Sequence, residues 1–161
     1  MKKPAVCLWF KEEAEQAAKF YSSVFRTAKM GDVFRCGEEL SKAAPIKKGC
    51  VVTATFTLNG QDFLCINGKS AAIKFTDSVS VLVPCKDQKE IDRYWSKLTA
   101  NGGKAIACGW LRDKYGVTWQ IVPASLDKMM KNKKAYDRML ATLCSMVKPD
   151  IKALEKAYKG R

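Results

Sequence analysis

Residues 51–67, VVTATFTLNGQDFLCIN, read as two strands joined by a turn. Thr53, Thr55 and Thr57 alternate with Ala54, Phe56 and Leu58, the period-two pattern of a strand with one apolar face. Asn59-Gly60 interrupts that pattern with two residues that tolerate positive φ, as a two-residue hairpin turn requires. Cys50–Leu58 and Gln61–Asn67 are therefore expected to pair as a β-hairpin.

Working outward, Ala5–Phe10 is a short apolar run expected as a strand. Lys11–Phe25 follows at helical spacing, with Ala14, Ala17, Ala18, Tyr21 and Phe25 on one face. Residues 26–48 read as irregular, punctuated by Gly31, Gly37 and Pro45. Downstream the order restarts. Ser78–Val83 is expected as a strand, and Asp87–Asn101 as a helix with Ile91, Tyr94, Trp95 and Leu98 inward. Asn101-Gly102-Gly103 stops that helix. Lys104–Arg112 and Val117–Val122 then form an antiparallel pair around a turn from Asp113 to Gly116. After Pro123 come three helical pieces, Ser125–Lys131, Ala135–Val147 and Pro149–Tyr158. Each half thus reads strand, helix, antiparallel strands. That order predicts an α+β fold of two paired modules, about 1–74 and 75–123, with a helical extension over 124–161.

The 161 residues carry 29 Lys and Arg against 16 Asp and Glu, a formal charge of +13, yet no histidine. The missing imidazole excludes His-based triads, general bases and metal sites within one chain. The positive excess is spread along the chain with mild enrichment at the C-terminus. It therefore argues for a solvated basic surface rather than an element built to enter a nucleic-acid groove. Most of the seven cysteines stand in apolar segments, and none forms a Cys-x-x-Cys pair, as small hydrophobes of a reducing compartment do. The N-terminus reads as a first strand, not a signal peptide, and no run of 18 apolar residues offers a membrane span. A cytoplasmic location is expected.

Glycine-rich phosphate loops, Gly-x-Ser-x-Gly and S-adenosylmethionine signatures are absent. Glu12, Glu13 and Glu15 suit the positive end of the first helix, and Asp113 suits its turn. What remains is a small-molecule site. Trp9, Cys65, Asn67, Ser78, Ser80, Trp110, Trp119 and Gln120 cluster on expected strands as aromatics interleaved with isolated polar groups. On the concave face of a curved sheet they would line a ligand pocket.

Several stretches carry a family resemblance: CLWF at 7–10, AEQAAKFYSSVF at 14–25, TFTLNGQDFLCINGK at 55–69, FTDSVSVLVPC at 75–85, DRYWSKLTANGG at 92–103, CGWLRDKYGVTWQIVP at 108–123 and DIKALEKAY at 150–158. Together they resemble the PhnB-like family, whose domain carries the label 3-demethylubiquinone-9 3-methyltransferase. That family lies in the glyoxalase/bleomycin resistance/dioxygenase, or vicinal oxygen chelate, superfamily. The resemblance implies paired βαβββ modules forming a curved mixed sheet around a pocket, in a homodimer. It also implies positions for a divalent metal held by His and Glu. Here those positions correspond to Cys7, Ser78 and Gln120, which do not recreate an imidazole–carboxylate set. No metal and no cofactor are therefore expected.

The reading from sequence is a PhnB-like small-molecule-binding protein, its reaction unspecified. The alternatives are an enzyme acting on an aromatic, quinone-like or thiol substrate, and a basic protein binding nucleic acid through its C-terminal helices.

Overall fold

The computed structural model describes residues 3–68 and 74–161. The chain divides into two compact units, Met1–Ile73 and Lys74–Arg161.

In the first unit, β1 (Val6–Phe10), α1 (Ala14–Val24), β2 (Ala28–Arg35), α2 (Glu38–Ala43), β3 (Val51–Leu58) and β4 (Gln61–Asn67) follow in order. The strands lie β1-β4-β3-β2. β1 runs parallel to β4, and the other pairs are antiparallel. Asn59 and Gly60 take φ of 51° and 77°, the left-handed turn expected of them. Ala14, Ala17, Ala18, Tyr21 and Val24 bury the inner face of α1 against the sheet. The three alanines let the backbone approach closely, while Tyr21 reaches Phe56 at 5.3 Å between ring centroids. Phe56 in turn stacks on Phe63 at 4.6 Å. These rings and Leu8, Phe10 and Cys65 form the core that fixes the sheet under the helix.

The second unit repeats this plan. β5 (Val81–Cys85), α3 (Gln88–Thr99), β6 (Lys104–Ala105), β7 (Trp110–Arg112) and β8 (Thr118–Pro123) give strand order β5-β8-β7-β6. The register is repeated too: Val6 pairs with Phe63 in one sheet as Val81 pairs with Trp119 in the other. Ile91, Tyr94 and Leu98 of α3 cover Leu111, Trp119 and Ile121. Three more helices follow: α4 (Leu126–Met129), α5 (Lys133–Cys144) and α6 (Ile151–Lys159). Met139, Leu143 and Leu154 form their own small core. Asn132 and Asp150 cap the last two helices by accepting from the amides of Ala135 and Ala153.

The α+β class and the C-terminal helices are as expected, but the curved mixed sheet around a pocket is not. The strands form two four-stranded sheets, each open. Closure fails at the edges: β2 carries a bulge, where four residues, Met30 to Val33, face three of β3, Phe56 to Ala54, and β6 has only two residues to offer a neighbour. Three local expectations change as well. Residues 26–48 contain β2 and α2 rather than irregular chain. The strand expected over Ser78–Val83 begins at Val81, which leaves Ser78 in a turn. Lys104–Arg112 is a hairpin, not one strand, because Cys108 and Gly109 adopt φ of 60° and 82° and turn the chain. Among the described residues no helix is long and apolar enough to cross a membrane.

Candidate functional site

At the end of the first sheet where β1 and β4 finish and β3 begins, a cleft of about 890 Å³ opens. Pro45, Ile46, Val51 and Val52 make an apolar wall. Lys11, Glu12, Glu15, Arg35 and Lys47 supply its charged groups. The wall is held by the closed loop after β2. Cys36 donates its amide to the Cys50 carbonyl at 2.8 Å, and the Gly49 amide returns to the Cys36 carbonyl at 2.8 Å. The buried Cys36 thiol also donates to the Ile46 carbonyl at 3.5 Å. Ile46 and Lys47 are thereby fixed at the rim.

The charges within the cleft are unequally used. Glu15 accepts from Lys19 and Arg35, both at 2.7 Å, and these bonds, that from Lys19 first, lower its carboxyl pKa. Among the described residues, Lys11 and Lys47 have no ion-pair partner. The cleft therefore offers two uncommitted cations beside hydrocarbon.

Asn67 stands at the base of the cleft. Its Oδ1 accepts from the Ala14 amide at 2.8 Å, while Nδ2 donates to the carbonyls of Glu12 at 3.2 Å and Val51 at 3.1 Å. No side chain of α1's own N-terminus caps it, so a β4 residue does this work. Trp9 is 50% exposed on the opposite face of its strand from Leu8 and Phe10. Its indole lies against Gly68, where any side-chain carbon would collide with the ring.

The other candidates divide between the faces of the sheets. Cys65 and Trp119 are fully buried on the helix-covered faces, within the cores. Burial, and secondarily the neighbouring Cys7, pushes the Cys65 thiol up to about 12. Gln120 faces the opposite side from Trp119, and its Nε2 donates to Ser80 Oγ at 2.8 Å. Leu82 and Trp110 are its cross-strand neighbours. On the same face Asp77 accepts from Arg112 at 2.6 Å and Thr118 at 2.8 Å. Hydrogen bonding to Arg112, then to Thr118, holds the Asp77 carboxyl below its ordinary range. Ser78, beside it, takes its local order from an amide hydrogen bond to Thr76 Oγ1 at 3.4 Å.

Sequence reasoning thus reached Asn67 but passed over Lys11, Arg35, Ile46, Lys47 and Cys50. The only signals for those residues were the Pro45 and Gly49 breaks in a stretch read as irregular.

The family model described as 3-demethylubiquinone-9 3-methyltransferase matches residues 2–122. The chain belongs to this PhnB-like family. Consistently, it is 36% identical to the PhnB protein from Bacillus cereus, covering 76% of this chain and all of that one, with a TM-score of 0.67. Protein PA1353 from Pseudomonas aeruginosa shares the fold at 13% identity and a TM-score of 0.61, covering 76% of this chain and 98% of its own. FosX from Listeria monocytogenes, a fosfomycin resistance protein crystallised with Mn(II) and sulfate, shares it at 13% and 0.54, covering 81% and 95%. No curated protein matches the chain. The protein is thereby placed among the PhnB-like small-molecule-binding proteins of the vicinal oxygen chelate superfamily.

The superfamily's divalent metal does not fit the PhnB-like chain's residues. At the matching positions, the Gln120 amide is tied to Ser80, Ser78 lies in a turn, and Cys7 carries a thiol whose pKa burial raises. Among the described residues no group of three or more His, Cys, Asp or Glu side chains could hold a metal ion.

Proposed function

We propose that this PhnB-like protein binds a small organic anion with an apolar body, seated in the cleft between the start of α1 and the 45–52 segment. The observation that carries this reading is the pairing of a hydrocarbon wall with Lys11 and Lys47, two cations without ion-pair partners among the described residues. A volume of about 890 Å³ lies within the range of drug-sized ligand sites. The start of α1 adds the positive end of its dipole to the same space. An anilinonaphthalene sulfonate is a suitable probe, with neutral phenylnaphthylamine as control. The sulfonate should bind saturably, and a Lys11→Glu/Lys47→Glu variant should weaken it at least tenfold without changing the neutral probe. Equal binding of both probes, or an unchanged sulfonate affinity in the variant, would overturn the reading.

A second reading places an aromatic or quinone-like ligand on the open face around Trp110, Ser80 and Gln120. It is favoured by the Gln120–Ser80 bond, which sets an amide beside the Trp110 indole. Gln120→Leu would then abolish binding that the lysine reversals leave intact. Trp9 and Phe34, 50% and 55% exposed on β1 and β2, support a homodimer formed by a second copy, testable by sedimentation. Seven free thiols support a reducing, cytoplasmic setting.

A further inference from the structure

The fold brings together two cysteines that lie 36 positions apart in sequence. Cys144 is the last residue of α5, and Cys108 is the first central residue of the turn between β6 and β7. The Cys108 thiol donates toward the Cys144 carbonyl at 3.6 Å. Backbone bonds hold the two segments side by side: the Cys108 amide donates to Met146 O at 2.8 Å and the Gly109 amide to Val147 O at 3.0 Å. Cys144 is exposed and Cys108 partly buried.

We infer that Cys108 and Cys144 form an oxidant-responsive thiol pair, which closes to a disulfide when the protein meets a peroxide. The exposed Cys144 is the thiol that attacks the peroxide and Cys108 the resolving one. Cys144 sulfur, as thiolate, attacks one peroxide oxygen. The O–O bond breaks, a sulfenic acid forms, and the departing hydroxide takes a proton to become water. Cys108 sulfur then attacks Cys144 sulfur; the S–S bond forms, the S–O bond breaks, and a second water leaves with the Cys108 proton. Two thiols lose two electrons, and one peroxide becomes two waters. Burial, and then the neighbouring Cys144, raises the Cys108 pKa, in keeping with the order of attack.

The consequence is mechanical. A disulfide here would tie the end of α5 to the β6–β7 turn, which is otherwise held to the extension by hydrogen bonds and packing. A reducing compartment keeps the pair open until oxidant arrives.

The test uses the full chain, reduced and then given a small excess of hydrogen peroxide. Digestion without reductant should yield one linked peptide pair containing Cys108 and Cys144, lighter by two hydrogens than the free peptides. The oxidised protein should melt at a higher temperature than the reduced one. In Cys108→Ser, which keeps the size and polarity of the site, dimedone should label Cys144. Free, alkylatable Cys108 and Cys144 after oxidation would overturn the inference. So would irreversible sulfinic acid at Cys144 in the unaltered protein, or faster dimedone labelling of another cysteine in the variant.

Discussion

Asn67 Oδ1 accepts a 2.8 Å hydrogen bond from the backbone amide of Ala14, across 53 positions of sequence. A helix start leaves amides without partners, and α1 fills that need with a side chain from the end of β4. Asn67→Ala should therefore cost about 2 kcal/mol of stability, since it removes this cap and strands the two carbonyls that Nδ2 serves. Asn67→Asp should fall between, keeping the acceptor and losing the donors. Urea unfolding of the three proteins checks the order.

Asp113 and Trp119 give a second expectation. The buried Asp113 carboxylate accepts from the amides of Tyr115 and Val117 and, through Oδ2, from Trp119 Nε1 at 2.8 Å. Asp113→Ala leaves three donors without this acceptor and should cost about 3 kcal/mol or more. Trp119→Phe, which opens a void and frees one carboxylate oxygen, should cost about 2 kcal/mol. Denaturation midpoints at constant m-value decide both.

Acid should act through Asp77. Its folded pKa lies below the ordinary 3.8, through Arg112 first and Thr118 second. A depressed carboxyl contributes stability that is fully present above its unfolded pKa and is lost as pH falls through the folded value. Asp77→Asn should thus lower stability at neutral pH and remove part of the decline below about pH 4. Because Asp77 and Arg112 are both substantially exposed, salt should shrink the difference. Thermal melts from pH 2 to 7 at two ionic strengths measure it.

Thiol chemistry should separate the cysteines by burial. Cys65 and Cys85 are both pushed up to about 12 by burial, aided at Cys85 by Glu90 and Asp87. At pH 7 iodoacetamide should modify the exposed Cys50 and Cys144 well before either of these. Peptide mass mapping against time reads the order. Early alkylation of Cys65 in folded protein would contradict the core assigned to it.

Gly109→Ala should destabilise the second unit by about 1–3 kcal/mol. Its φ is +82°, and a Cβ would lie 2.8 Å from Ile121 O and 2.9 Å from Pro149 Cγ. Limited proteolysis should then release the C-terminal helices sooner than in the unaltered protein.

Much of the fold was legible because strong periodicity and tertiary packing agree. Ala14, Ala17, Ala18 and Tyr21 announced their helix face, and Asn59-Gly60 its turn. β2 hid because its bulge at Gly31-Asp32 breaks the alternation that marks a strand. The β6–β7 hairpin hid because its turn places a cysteine, Cys108, where asparagine would be the usual sign. At the candidate site, parity in the strands already separated Trp119 from Gln120, but aromatic character drew both toward one pocket. The basic cleft was not legible at all. Its wall comes from a loop whose shape depends on Cys36 meeting Cys50, and no local pattern encodes that meeting.

The family match ends at residue 122, yet the β6–β7 turn hands two of its amides to Met146 and Val147. The matched span and the structurally self-sufficient span therefore have different borders in this chain. Cutting after residue 122 would orphan the Cys108 and Gly109 amides inside the matched part. The C-terminal helices are thus scaffolding on which the β6–β7 end of the second sheet leans.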